Sequence, residues 1–110
     1  MNLATKKSSL SPARQKLLRL MQSVNFGRIE QLRMSGGEPV FAPPPRVIRE
    51  IKFGADNGPR PEQDLTDFTL KTQHCELFAT LDRMGDRTVE SLEVQHGLPF
   101  RIKFEEAIGA

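Results

Sequence analysis

The stretch that decides the fold occurs twice, as LLRLMQSVNFGRIEQLRMSGGEPV over residues 17–40 and as LFATLDRMGDRTVESLEVQHGLPF over residues 77–100. The two segments align without a gap at an offset of sixty residues. Self-similarity at a fixed spacing indicates a repeated structural unit. We therefore predict two copies of a helix followed by a β-hairpin, produced either by duplication or by convergent patterning. The positions identical in both copies are Leu17 and Leu77, Glu30 and Glu90, Leu32 and Leu92, Gly37 and Gly97, and Pro39 and Pro99.

Apolar residues at helical spacing mark the first part of each copy. A helix is predicted over residues 12–24, because Ser11 can cap its free N–H groups and Pro12 is tolerated at the first helical position. A second helix is predicted over residues 65–84, with Asp64 as its cap. Its apolar face is formed by Leu70, His74, Leu77, Leu81 and Met84.

Strand signals follow each helix, because apolar residues there alternate with polar ones. The alternation after the second helix ends in Leu98, Phe100, Ile102 and Phe104, which is the most regular in the chain. Three consecutive prolines end the first return strand, since proline cannot donate to a sheet. The predicted strands cover residues 28–34, 39–41, 46–53, 89–94 and 98–104, and in 46–53 the odd-numbered residues are expected to point inward.

The two hairpin turns are predicted to be three-residue loops with a glycine at positive φ, Gly37 in one and Gly97 in the other. In the first hairpin this loop would pair Met34 with Glu38 and Leu32 with Val40 on one face. In the second it would pair Val94 with Leu98 and Leu92 with Phe100. We therefore expect Leu32, Leu92 and Phe100 to be buried.

The fold class that follows is α+β, in the order α-β-β-β-α-β-β, with two helices on one face of a mainly antiparallel sheet of up to five strands. Residues 1–10 are predicted to be a flexible basic tail and residues 11–110 a single domain. An alternative remains open at this stage. If residues 28–34 and 88–95 were short helices, each copy would be a helix-turn-helix, the arrangement of many DNA-binding regulators.

Composition indicates a small soluble domain. The chain has 110 residues, of which 37% are hydrophobic and 27% charged, as in ordinary globular proteins. It contains no apolar run long enough to cross a membrane, and because its first residues lack an apolar core we expect no signal peptide. Cys75 is the only cysteine, which favours a reducing compartment, and we expect the protein to be cytoplasmic.

The inventory of reactive side chains is small. His74, Cys75 and His96 are the only candidates for a zinc site, and they lack the usual ligand spacing. No nucleophile motif and no nucleotide-binding glycine pattern occurs. We therefore expect no metal, no cofactor and no catalytic residues, and an enzyme is the least favoured alternative.

Charge is distributed unevenly along the chain. Residues 1–60 carry a net charge of +7 and residues 61–110 a net charge of −5. This asymmetry favours a non-enzymatic binding module that contacts nucleic acid or another anionic partner through its first half. A protein-interaction or self-assembly module, and two simply solvated faces, are the alternatives. The candidate anion-binding residues are Arg14, Lys16, Arg19, Arg46, Arg49 and Lys52.

Overall fold

Two helices and a five-stranded antiparallel sheet are present in the computed structural model of the chain, which describes residues 6–54, 71–106 and 108. The predicted α+β class and the order α-β-β-β-α-β-β are confirmed. The elements are a short 3-10 turn (Lys7–Ser9), α1 (Pro12–Val24), β1 (Gly27–Ser35), β2 (Glu38–Val40), β3 (Arg46–Arg49), α2 (Thr72–Met84), β4 (Val89–Gln95) and β5 (Leu98–Phe104).

The first helix has the predicted bounds, whereas the second begins later than expected. Ser11 caps α1, since its hydroxyl oxygen accepts a hydrogen bond of 3.2 Å from the backbone amide of Arg14. At α2 the equivalent place is taken by Lys71, whose amide donates to Nδ1 of His74 over 3.1 Å. This cap fixes the start of α2 at Thr72, and the expected cap, Asp64, lies outside the described residues.

The sheet has the order β2-β1-β4-β5, and β3 pairs with β1 on the same side as β2. In the central pair, Ile29 lies opposite Leu92 and Leu32 lies opposite Val89. Ile29 and Leu32 correspond to Val89 and Leu92 at the offset of sixty residues, so this offset converts each of the two pairs into the other. Both helices pack on one face of the sheet. The core between them contains helix residues and strand residues: Leu17, Leu18, Met21, Leu77, Phe78 and Leu81 from the helices, and Ile29, Leu32, Val89, Leu92 and Val94 from the strands.

The hairpin turns contain two residues, so the predicted three-residue loops are wrong. Gly36-Gly37 and His96-Gly97 connect the strands, and all four residues have positive φ. Positive φ at both central positions matches the twist of the flanking strands. The register therefore shifts by one residue from the prediction. Pro39 lies opposite Met34 and Pro99 lies opposite Val94, and both prolines are buried.

Phe100 is 55% exposed, although the alternation of β5 predicted that it would be buried. Val94 pairs with Pro99 and Glu93 pairs with Arg101, so Phe100 is an extra residue in the strand. Such a bulge turns the side chain away from the face that alternation assigns to it. Leu32 and Leu92 are buried, as expected.

Strand β3 has four residues rather than the predicted eight. It pairs with Gly27–Glu30, the first four residues of β1, so residues 50–53 continue past the start of β1, where no strand of the described ranges lies opposite them. The odd-numbered residues were expected to point inward, and this is wrong for the apolar ones. Val47, Ile51 and Phe53 are all exposed.

The segments that decide between a hairpin and a helix-turn-helix are strands. Residues 27–35 form β1 and residues 89–95 form β4, so the helix-turn-helix alternative is wrong for both.

Before α1, Lys7 and Leu10 are buried, so the packed part of the chain begins ahead of Ser11. Within the described ranges, no helix is both long and apolar enough to cross a membrane.

Candidate anion-binding surface

Arg14, one of the predicted anion-binding residues, has its partners within the fold. Its Nη2 atom donates to the carbonyl oxygen of Gly37 over 2.9 Å and to the carboxylate of Asp82. Its Nε atom lies 3.7 Å from the carboxylate of Glu38, and its guanidinium covers the ring of Phe78. The side chain is only 14% exposed. Arg14 therefore connects α1 with the first hairpin turn and with α2.

Lys16 and Arg19, by contrast, are exposed on the outer side of α1. Residues three, four and seven positions apart on a helix share one face. With Leu20 and Ser23 they line a shallow depression of about 360 Å³, whose other wall is Phe41. The Nζ atom of Lys16 lies 4.7 Å from the centre of the Phe41 ring. The sequence thus places two cations at one concave, partly apolar site.

Arg49 and Lys52 lie at the C-terminal end of the same helix. The Nη1 atom of Arg49 donates to the carbonyl oxygen of Ser23 over 2.7 Å, which brings it to the edge of the depression. The Nζ atom of Lys52 lies 4.7 Å from the ring centre of Phe26. Cations are stabilised at a helix C-terminus because free carbonyl groups point outward there. We call Lys16, Arg19, Arg49 and Lys52 the basic surface.

Three cations of the basic surface have no acidic partner among the described residues. None of the ion pairs between described residues involves Lys16, Arg19 or Arg49. An anionic partner could therefore approach these three side chains without first displacing an acidic group.

Arg46, the remaining predicted site residue, does not belong to the basic surface. It lies three residues from Arg49 on β3, so the two side chains point to opposite faces of the sheet. The Nη2 atom of Arg46 lies 3.0 Å from the carboxylate of Glu30, which also accepts a hydrogen bond of 2.8 Å from Nε of Arg28. This hydrogen bond from Arg28, with the charge of Arg46 nearby, lowers the pKa of Glu30.

The sheet face opposite the helices carries further cations that sequence reasoning missed. The strand register forms two rows across it, Arg46–Glu30–Ser91–Lys103 and Ile48–Arg28–Glu93–Arg101. Arg101 forms an ion pair of 3.4 Å with Glu93. Oppositely charged neighbours on adjacent strands stabilise a sheet and neutralise each other. The alternation within each strand predicts that these residues lie on the open face. Which of them are neighbours depends on the register between strands, which the sequence does not show.

His74, Cys75 and His96, the candidates for reactive chemistry, have packing roles. His74 is buried, and desolvation followed by the charge of Lys71 lowers its pKa to about 4. The His96 ring packs edge-on against Phe26 at 4.8 Å, and Cys75 lies partly buried against the core. Over residues 6–54, 71–106 and 108, no cluster of three or more His, Cys, Asp or Glu side chains could hold a metal ion.

Comparison of the chain with protein-family models, with curated proteins and with solved structures finds no match. Its own charges and contacts are therefore the basis for assigning a function. They single out the basic surface beside α1, because the cations of the open sheet face are mostly paired with glutamates and Arg14 is held inside the fold.

Proposed function

We propose that the chain is a small, non-enzymatic binding module that contacts nucleic acid through the basic surface. The observation that supports this is that Lys16 and Arg19 line one depression and Arg49 is bonded to Ser23 at its edge, with no acidic partner for the three among the described residues. Phosphate groups are bound by such cations, and the planar guanidinium of arginine can donate two hydrogen bonds to one phosphate.

The dimensions of the surface agree with a phosphate backbone. Lys16 and Ser23 are seven residues apart on α1, a distance of about 10 Å along the helix axis. The phosphates of one nucleic-acid strand follow one another at intervals shorter than this, so a strand running along this side of the helix could contact more than one of the cations. Because Lys16 covers the ring of Phe41 and the chain has no Trp or Tyr, we expect contacts with phosphates rather than stacking with bases.

The repeat and the location are further parts of the proposal. We propose that residues 17–40 and 77–100 are duplicated units, which is supported by the exchange of the pairs Ile29–Leu92 and Leu32–Val89 at an offset of sixty residues. A cytoplasmic location suits both the single cysteine and a nucleic-acid partner.

The test is a titration of labelled duplex and single-stranded DNA and RNA at several salt concentrations. The variant carries Lys16→Gln, Arg19→Gln and Lys52→Gln together and leaves Arg49 in place, because Arg49 also binds the end of α1. We expect weaker binding at low salt. The plot of log binding constant against log salt concentration should become less steep, by an amount that corresponds to the loss of up to about three phosphate contacts. The matched control, Arg33→Gln, Arg101→Gln and Lys103→Gln, removes the same charge from the open face of the sheet.

Two results would contradict the proposal. The wild-type protein could fail to bind any of the four nucleic acids even at low salt, or both triple variants could lose affinity equally, which would indicate an effect of net charge alone. The thermal midpoint of the first variant should stay close to that of the wild type, since exposed charges contribute little to stability.

A further inference from the structure

The two edges of the sheet differ in how accessible they are to another strand. One edge is formed by β2 and β3, which have three and four residues and are separated by Phe41 to Pro45, a segment with three prolines. Short strands and prolines prevent pairing, because proline has no N–H group to donate. The other edge is β5, which has seven residues and pairs only with β4 among the described strands.

Apolar surface accompanies β5 on the side of the helices. Ile102 and Phe104 are only partly buried against the core. Two depressions lie between α2 and β5, one of about 150 Å³ lined by Leu77, Pro99 and Ile102 among others, and one of about 300 Å³ that includes Met84 and Phe104. A strand added beside β5 would place its helix-side residues next to both.

Charge along β5 and the residues after it is self-complementary. Lys103 points to the open face of the sheet, and Glu105 follows two residues later in the same alternation. If two copies of this segment pair antiparallel with Phe104 opposite Phe104, then Lys103 of each lies opposite Glu105 of the other.

We propose that β5 pairs antiparallel with β5 of a second copy of this chain, about a two-fold axis at Phe104, with the strand extended to Glu106. Main-chain hydrogen bonds join the two sheets, and the Lys103–Glu105 pairs fix the register. Since the opposite edge is closed by the proline segment, the described strands of each chain offer one such edge. The association therefore ends at a closed dimer and does not continue into a filament.

The test is the oligomeric state of the full chain, measured by sedimentation and by light scattering over a wide range of protein concentration. Lys103→Glu and Glu105→Lys each replace two attractive pairs by two repulsive ones, and we expect each to raise the dimer dissociation constant about tenfold or more. The double variant, Lys103→Glu with Glu105→Lys, reverses both charges and should restore the constant to within about threefold of the wild type.

Matched controls carry the same charge changes elsewhere on the sheet, Arg33→Glu on β1 and Glu90→Lys on β4, and should leave the dimer unchanged. All these positions are exposed, so each variant is expected to fold, and circular dichroism checks this. A wild-type chain that stays monomeric at every concentration would overturn the proposal. So would a double variant that remains as weak as the single ones, since the Lys103–Glu105 register would then be wrong. The outcome does not depend on nucleic-acid binding.

Discussion

The backbone amide of Gly97 donates a hydrogen bond of 3.0 Å to the carbonyl oxygen of Asn25, so the tip of the second hairpin is attached to the end of the first helix. The amide of Gly37 forms a bond of the same length to the carbonyl oxygen of Gly85, the residue that ends α2. Carbonyl groups at a helix end have no partner within the helix. Each hairpin turn therefore binds the end of the helix that belongs to the other half of the chain.

Gly37→Ala is expected to destabilise the fold. Gly37 has a φ of +80°, and a Cβ atom there would lie 3.3 Å from the carbonyl oxygen of Leu81 and 3.4 Å from the Cα atom of Asp82. Backbone strain alone costs about 1–2 kcal/mol for a residue with a side chain. Urea unfolding should show at least this loss. Gly36→Asn is the control, since its surroundings are open and asparagine tolerates positive φ; an equal loss in both variants would contradict the prediction.

Replacement of Arg14 should affect stability, whereas replacement of Arg19 on the same helix should not. Arg14→Gln removes the contacts with Asp82 and Glu38 and leaves the carbonyl of Gly37 without its donor. We expect a loss of about 1–3 kcal/mol in the free energy of unfolding. Arg19→Gln, at an exposed position, should stay within about 0.5 kcal/mol of the wild type. Similar values for the two variants in chemical denaturation would show that Arg14 is not a structural residue.

The protein should lose stability as the pH falls from about 6.5 towards 4. His74 is 2% exposed and its pKa in the folded chain is about 4, below its ordinary value of 6.5. Between these pH values the unfolded chain binds a proton that the folded chain excludes, so protonation favours unfolding. The full effect is about 3 kcal/mol, at 1.36 kcal/mol per pKa unit.

The pH effect can be assigned with two asparagine variants. His74→Asn keeps an acceptor for the amide of Lys71 and should reduce the dependence of the unfolding free energy on pH in this range. His96→Asn, at an exposed position with positive φ, is the control for the loss of a histidine elsewhere in the chain, and an equal reduction in both variants would contradict the assignment to His74. An unchanged dependence in His74→Asn would assign the effect to other groups.

Leu92 and Phe100 should differ strongly in their contribution to stability, although sequence alternation treats them alike. Leu92→Ala creates a cavity in the core and is expected to cost about 2–5 kcal/mol. Phe100→Ala removes a side chain that the bulge in β5 leaves 55% exposed, and should cost less than about 1 kcal/mol. The measurement is equilibrium unfolding of both variants under one set of conditions. A larger loss of unfolding free energy in Phe100→Ala than in Leu92→Ala would mean that the bulge does not lie at Phe100.

Features set by neighbouring residues could be predicted from the sequence. Ser11 and Pro12 specify the start of α1 through contacts within one turn of helix, and the structure has the predicted bounds. The α+β class followed from the same kind of signal, because helical and alternating periods are visible in one segment at a time.

Features set by distant residues could not be predicted in this way. Phe100 was assigned to the wrong face because a bulge depends on how β5 pairs with β4, which alternation within one strand does not show. The sequence predicts Arg14 as an anion-binding residue because it is one of the positive charges of the first half of the chain. Its partner Asp82 is 68 residues away, and only the packing of the two helices brings them together.

The reciprocal attachment of turns and helix ends also has a consequence for the order in which the chain can fold on the ribosome. Asn25 is bonded to a residue 72 positions later, and Gly37 to one 48 positions later. Translation adds about 5–20 residues per second, so the first helix is synthesised several seconds before the turn that binds its end. During that interval the apolar side of α1 has neither β4 nor the second hairpin to cover it. Nascent chains that stop before Gly97 should therefore be sensitive to proteases and bound by chaperones, and native protection should arise only once the second hairpin has left the ribosome.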